Sequence, residues 1–122
     1  MDAAPSGIAW EAIHAHDDQP TYQAVLDQLS VNDVVLDIGA GDLRLARQME
    51  RMVKKVYAVE VNAGLLEDVG VLPVNLIVIC ADARTLDFPA DITTGVLLMR
   101  HCTCFRLYAD KLRKAGARIL KW

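Results

Sequence analysis

The chain has 122 residues and a formal net charge of −3, with 53% hydrophobic residues and a mean hydropathy of +0.22. This composition predicts one folded domain over residues 1–122 and excludes a disordered chain, because the apolar content suffices for a buried core. No basic cluster exceeds the pair Lys54-Lys55, so the sequence carries no strong signal for binding nucleic acid.

The sequence carries no signal for a membrane or for export. No apolar run reaches the length of a membrane span, and the N-terminus (MDAAPSGIAW) lacks the basic and apolar regions of a signal peptide. The three cysteines are odd in number and are interpreted as reduced thiols. We therefore expect a cytoplasmic protein.

Helices and strands are predicted to alternate along the chain. Residues 1–30 are expected to form an N-terminal cap segment that ends in a helix from Gln19 to Leu29. Five continuous apolar runs follow, as is typical of parallel strands buried on both faces. The predicted strands are Val34–Ile38, Lys55–Glu60, Asn75–Cys80, Thr94–Met99 and Arg118–Lys121, and the predicted helices are Leu43–Val53, Ala63–Val69 and Phe105–Ala115.

With right-handed crossovers, these elements predict an α/β fold, a three-layer Rossmann-like sandwich around a mostly parallel five-stranded sheet in the order 3-2-1-4-5. Ligands of open α/β sheets bind outside the carboxyl ends of the strands. Three acids, Asp37, Glu60 and Asp82, lie at or just beyond the ends of separate apolar runs. We expect them to form a row at this edge of the sheet.

The segment VVLDIGAGDLR, residues 34–44, predicts a strand, a glycine loop and a helix. Such a loop lets backbone N–H groups at a helix N-terminus approach a ligand without an intervening side chain. Glu60 ends the next apolar run, where an acid can accept hydrogen bonds from both hydroxyls of a ribose. A nucleotide-like cofactor is the leading hypothesis, although Gly-x-Gly after a strand is also a frequent tight turn.

The run Asp37-Ile38-Gly39-Ala40-Gly41 resembles the first motif of class I (Rossmann-like) S-adenosylmethionine-dependent methyltransferases, acid-x-Gly-x-Gly-x-Gly. Leu43 stands in place of the last glycine, and the resemblance extends from about Val34 to Lys121. It implies that Asp37 holds the methionine ammonium of the cofactor through water. It also implies that Gly39 and Gly41 let the backbone approach the cofactor.

The same resemblance implies that Glu60 accepts the ribose hydroxyls and that Asp82 contacts the adenine amino group of S-adenosylmethionine. The implied cofactor site also includes Ala40, Val61 and Ala83. The implied activity is transfer of the sulfonium methyl group to an acceptor that the sequence does not identify. One alternative is a cofactor-binding or assembly module without catalysis.

A second alternative is an NAD-dependent reductase. A dinucleotide fingerprint has a third glycine three residues after the second, where it allows the helix to pack closely on the strand. Arg44 occupies that position here, and its long side chain argues against a dinucleotide.

The segment from Arg100 to Cys104 follows the fourth predicted strand, where the resembled family keeps its catalytic or substrate-facing loop. His101 is the candidate catalytic residue, because an unperturbed pKa of about 6.5 suits a general base toward a hydroxyl or thiol acceptor. The families that methylate amino groups on bases or on glutamine carry an acid or Asn, then two prolines and an aromatic, at this place. This chain has no such signature, which argues against that type of acceptor.

Metal binding is the less favoured interpretation of two histidine-containing segments, and no metal site is predicted. His101, Cys102 and Cys104 could ligate zinc, but three ligands within four residues rarely complete a tetrahedron. The two cysteines could equally be small residues that begin the next helix. The run 14–18, HAHDD, superficially resembles the metal motif of metallo-β-lactamases, but Gln19 replaces its final histidine.

The fifth predicted strand, Arg118–Lys121, is expected to be an uncovered edge, because the resembled methyltransferases continue for two further strands. Unpaired edge strands act as templates for pairing with another chain. We therefore expect a homodimer or a partner chain at this edge. The alternative is an edge that its basic residues keep soluble.

Overall fold

A computed structural model of the chain describes residues 18–98 and 104–122. The sheet has the order β3-β2-β1-β4-β5, and all four neighbouring pairs are parallel, so the predicted fold class and strand order are confirmed. The first helical residues, 18–26, form α1. The other elements are β1 (Val34–Ile38), α2 (Arg44–Glu50), β2 (Lys55–Glu60), β3 (Leu76–Cys80), β4 (Thr94–Leu97), α3 (Phe105–Lys114) and β5 (Arg118–Lys121).

The central strand β1 is buried on both faces, and its residues alternate between two apolar clusters. Val35 packs in a cluster with residues of α1 and α2, among them Val25 and Met49. Leu36 belongs to the cluster on the opposite face, which includes Leu112 of α3. Helices therefore cover both sides of the sheet, which gives the predicted three layers.

One predicted helix is shorter than predicted. A short helix is predicted over residues 63–69, and the structure has a single turn of 3-10 helix, Ala63–Leu66, that has no buried residue. The side chain of Asn62 accepts a hydrogen bond from the Gly64 N–H (3.0 Å), which caps the turn. Gly64 lowers helix propensity, and without a buried face nothing stabilises a longer helix.

The ends of other elements shift by a few residues from the predicted bounds. Helix α2 ends at Glu50 rather than Val53, and β3 begins at Leu76 rather than Asn75. Strand β4 ends at Leu97, whereas the predicted end, Met99, lies outside the described residues. Within the described part of the chain, no helix has the length and apolarity needed to cross a bilayer.

Close packing of α3 on β4 depends on Gly95. A Cβ atom at this position would lie 2.4 Å from both Cδ atoms of Leu112, whose side chain is fully buried. The helix can approach the sheet this closely because residue 95 has no side chain. This contact fixes the helix that follows residues 99–103.

A buried polar network joins the strands at the edge opposite the acids. Asp33 Oδ1 accepts hydrogen bonds from the hydroxyls of Thr93 (2.8 Å) and Thr94 (3.0 Å). Its Oδ2 accepts from the Ser30 N–H (2.8 Å) and from Arg118 Nη2 (3.2 Å). Burial raises the pKa of Asp33, but the hydrogen bonds and the guanidinium outweigh it and lower the pKa to about 2. The network ties the beginnings of β1, β4 and β5 together.

Candidate functional site

The three predicted acids lie in a row at the carboxyl edge of the sheet. Asp37 is the penultimate residue of β1, Glu60 is the last residue of β2, and Asp82 follows β3 by two residues. Because β3, β2 and β1 are adjacent and parallel, their ends meet at one edge. Asp37 is 2% exposed and Glu60 8% exposed, so both carboxylates are largely shielded from water.

The glycine loop turns sharply between β1 and α2. Gly39 and Gly41 adopt left-handed φ angles of 75° and 61°. The N–H groups of Gly39 and Ala40 both donate to the carbonyl of Val59 (2.9 and 3.0 Å), which holds the loop against the end of β2. A Cβ on Gly39 would meet no atom within 4 Å. The space beside the loop is therefore open, as a ligand in contact with the backbone requires.

Leu43 occupies the position of the motif's last glycine and keeps a glycine-like backbone, with a φ of 72°. A left-handed conformation costs a non-glycine residue roughly 1–2 kcal/mol. The Leu43 side chain is fully buried in the cluster beneath α2, and burial of a leucine contributes about 1.5–3 kcal/mol. Burial thus offsets the strain, and the loop leads directly into α2.

Glu60 braces the glycine loop. Its Oε1 accepts a hydrogen bond from the Gly41 N–H (2.7 Å), and its Oε2 accepts one from the Asn62 N–H (2.9 Å). An ionised carboxylate has about four lone-pair sites, so these two bonds leave it able to accept from hydroxyl groups. The sequence predicted the place of this acid at the end of β2 but not its contact with the loop.

Asp82 is paired with Arg84. Arg84 donates to Asp82 through its backbone N–H (2.9 Å) and through its guanidinium, with Nη2 2.6 Å from Oδ2. The Arg84 side chain and then its backbone N–H lower the pKa of Asp82 to about 2, so this carboxylate is ionised at neutral pH. The Asp82 side chain remains about one-third exposed.

The two smaller residues of the predicted site differ in their surroundings. Val61 follows Glu60 and is 66% exposed at the carboxyl edge of the sheet. Ala83 is buried in the cluster that contains Leu112, so its side chain does not face the open edge. Only its backbone can contribute to binding there.

The structure adds two residues that the sequence did not single out. Asp42 Oδ2 accepts a hydrogen bond from Arg44 Nε (2.7 Å), while its Oδ1 is buried with no hydrogen-bond partner among the described residues. Lys111 of α3 reaches the turn after β3 and contacts it through its ammonium group. An acid directly after Gly41 is a visible sequence signal, whereas a lysine in an amphipathic helix is not.

The candidate catalytic residue His101 lies outside the described residues, as do Cys102 and the run 14–17. Cys104 directly precedes α3 and is half-buried, which agrees with its interpretation as a residue that begins the helix. No group of three or more His, Cys, Asp or Glu side chains suited to a metal occurs among residues 18–98 and 104–122.

Comparison with known sequences places most of the chain in one family. A family model described as "Methyltransferase domain" matches residues 36–122. "Probable ribosomal RNA small subunit methyltransferase A" from Methanosarcina mazei is 42% identical over 65 residues, which cover 51% of this chain and 24% of that protein. The chain thus spans about a quarter of the length of this relative.

Solved structures share the fold at low sequence identity. The 23S rRNA methyltransferase ErmE has a TM-score of 0.69 and 20% identity, over 85% of this chain and 46% of that chain. The DhpI–SAM–HEP complex has a TM-score of 0.69 and 12% identity, over 98% of this chain and 67% of that chain. At these identities the similarity establishes the fold.

Proposed function

The chain belongs to the methyltransferase domain family, and we propose that it binds S-adenosylmethionine and transfers the methyl group to an acceptor. One observation carries this proposal: the open glycine loop and the Glu60 carboxylate are joined by the Gly41–Glu60 hydrogen bond. A ligand in this position would contact the loop backbone and an acid that can accept from ribose hydroxyls.

The charge of the site favours S-adenosylmethionine over a dinucleotide. Asp37, Glu60 and Asp82 are three acids at one edge, and S-adenosylmethionine carries a cationic sulfonium and an ammonium group. The pyrophosphate of NAD would bring negative charge to these carboxylates, which is electrostatically unfavourable. The guanidinium of Arg44, three residues after Gly41, is paired with Asp42.

In this proposal, each acid at the edge of the sheet binds a different part of the cofactor. Asp37 would hold the methionine ammonium, Glu60 the ribose hydroxyls and Asp82 the adenine amino group, with Gly39, Ala40 and Gly41 against the cofactor through the backbone. Val61 and the backbone of Ala83 flank the second and third acids. When bound, S-adenosylmethionine supplies a methyl group on a positively charged sulfur that is open to attack by a nucleophile.

The chain's own contribution to catalysis is chiefly orientation. Holding both ends of the cofactor fixes the direction from which an acceptor must approach, and such positioning lowers the barrier of a displacement substantially. The acceptor would enter beside the end of β4, next to residues 99–103. There His101 is proposed to remove the proton of a hydroxyl or thiol acceptor.

We also propose a cytoplasmic location. The chain has three cysteines, an odd number that favours reduced thiols and therefore a reducing compartment.

The proposal is tested by titration calorimetry with S-adenosylhomocysteine. The wild-type chain should bind it, and Glu60→Ala should weaken binding about 10- to 150-fold, because a hydrogen bond to a charged group contributes about 1.5–3 kcal/mol. Glu67→Ala, which removes an exposed acid seven residues further along the chain, is the matched control and should bind as the wild type does. Thermal melting of both variants separates lost binding from lost folding.

Four outcomes would contradict parts of this proposal. A wild-type chain that does not bind S-adenosylhomocysteine overturns the cofactor, and a preference for NAD favours the reductase. Unchanged affinity of Glu60→Ala removes the ribose assignment. Binding without transfer, when radiolabelled S-adenosylmethionine is supplied with hydroxyl, thiol and ribosomal RNA acceptors, favours a non-catalytic module. RNA is included because of the name of the Methanosarcina mazei relative.

A further inference from the structure

Lys111 is the side chain that joins α3 to the turn after β3. Its Nζ donates to the backbone carbonyls of Ala83 and Leu86, at 2.6 Å each. The same ammonium lies 4.3 Å from the centroid of the Phe88 ring, within the range of a cation–π contact. Three points of one loop are thus held by one cation.

The turn that Lys111 holds is built around Asp82. The N–H groups of Thr85 and Leu86 donate to the Asp82 carbonyl (3.1 and 3.0 Å), and the Arg84 N–H donates to its side chain. These bonds satisfy the N–H groups of the turn. The two carbonyls that point to α3, of Ala83 and Leu86, are satisfied by Lys111.

Helix α3 is held firmly against the sheet at the position from which Lys111 reaches the turn. The next residue, Leu112, is fully buried and packs against Gly95 of β4, so the helix cannot slide along the sheet at this point. Burial lowers the pKa of Lys111, while the carboxylates of Asp87 and Asp82 oppose this effect, as expected of a partly desolvated cation beside acids. Lys114, one turn of helix further on, is exposed.

We infer that Lys111 is a positioning residue that fixes the Asp82 turn in the orientation required to recognise the amino group of adenine. The inference rests on the proposed function, because it presumes an adenosine-containing cofactor at this edge. Without the ammonium, two carbonyls lose their partner and the turn is no longer fixed to α3. The Asp82 carboxylate then changes its position relative to Glu60. As a result, its contact with the adenine amino group is weakened.

The test compares two ligands, S-adenosylhomocysteine and its analogue in which purine without the 6-amino group replaces adenine. We expect the wild type to bind the first at least about tenfold more tightly. Lys111→Met keeps an apolar stem over Phe88 but removes the donor, and it should reduce this ratio to about threefold or less. Lys111→Arg should restore much of the ratio, and Lys114→Met is the matched control that should leave it unchanged.

A second readout needs no ligand. Hydrogen exchange at the amides of Arg84, Thr85 and Leu86 should become at least about tenfold faster in Lys111→Met and stay unchanged in Lys114→Met. If Lys111→Met does not fold, Lys111→Gln serves in its place, because its shorter neutral side chain cannot span both carbonyls. Thermal melting reports the stability of each variant separately.

The outcomes separate this inference from the proposed function. A wild type that binds neither ligand overturns the cofactor and, with it, the role of Lys111. If the wild type binds both ligands equally, the proposed contact between Asp82 and the adenine amino group is wrong, and the role of Lys111 in orienting it is wrong as well. A wild-type ratio in a folded Lys111→Met variant, or unchanged exchange in its turn, overturns the positioning role alone.

Discussion

The Asp33 network makes a quantitative prediction about stability in acid. The unfolded chain is expected to titrate Asp33 near 3.8, whereas the folded chain holds its pKa at about 2. Since one pKa unit corresponds to about 1.4 kcal/mol, the ionised carboxylate stabilises the native state by roughly 2–3 kcal/mol at neutral pH. Asp33 is only 8% exposed, but the Arg118 side chain is 46% exposed, so solvent screening reduces the part of this figure that comes from the ion pair.

The sign of the pH dependence follows from the direction of the pKa change. Between the two values the folded chain binds fewer protons than the unfolded chain, so protonation favours unfolding. The stabilisation is therefore fully present above about pH 5 and is lost progressively as the pH falls through 4 toward 1. Above about pH 5, the contribution of Asp33 to the free energy of unfolding is constant.

Urea unfolding between pH 7 and pH 2.5 measures this effect. Asp33→Asn should cost about 2–3 kcal/mol at pH 7, because a neutral amide replaces a charged acceptor, and it should lose less stability than the wild type below pH 4. Asp68→Asn, an exposed acid, is the control and should follow the wild-type profile. If the wild type and Asp33→Asn lose the same free energy of unfolding between pH 7 and pH 2.5, the assignment is refuted. The remaining acids, including Asp82, are the same in both proteins.

Three other expectations concern the loop, the helix packing and the sheet edge. Gly39→Val should fold but lose S-adenosylhomocysteine binding in calorimetry, because a branched side chain at a φ of 75° is strained and enters the open space; retained binding would remove the loop from the site. Gly95→Ala should cost about 1–3 kcal/mol in urea unfolding through overpacking against Leu112, unless that leucine can move. The β5 edge, Arg118–Lys121, should recruit a second copy, so light scattering should give about 27 kDa, twice the 13.4 kDa of one chain; a 13.4 kDa species at high concentration would contradict this.

The strand order and the row of acids could be predicted because both depend on local patterns. Continuous apolar runs identify buried parallel strands, and the handedness of crossovers then leaves few possible orders. The position of Glu60 follows from the end of its run. These features need no knowledge of which side chains meet in space.

The contacts that complete the candidate site could not be predicted in the same way. The Glu60 carboxylate turns back to the Gly41 N–H, and Lys111 reaches carbonyls 25 and 28 residues away along the chain. Such contacts depend on how α3 and the loops are placed after folding. Nothing in the sequence around a lysine of an amphipathic helix indicates that its side chain will bind distant carbonyls. For Asp33 the sequence offered only a weak indication of a turn. Ser30, three residues earlier, donates its N–H to the Asp33 carboxylate.

The helix predicted at residues 63–69 is shorter than predicted for a different reason. Leu65 and Leu66 are only half-buried, and the 3-10 turn has no buried residue. Helix propensity alone does not sustain so short a segment, because nucleation is costly. Tertiary packing, which the sequence does not display, decides such cases.

The central position of β1 has a consequence for synthesis on the ribosome. Among the strands, β1 is made first, then β2 and β3, so the half of the sheet that carries all three acids is available while α3 is still unmade. During that interval the face of β1 that contains Leu36 and Ile38 has no helix over it, and exposed apolar surface of this kind favours aggregation of nascent chains. The half of the sheet that carries the three acids is thus translated ahead of the helix that covers the other face of β1.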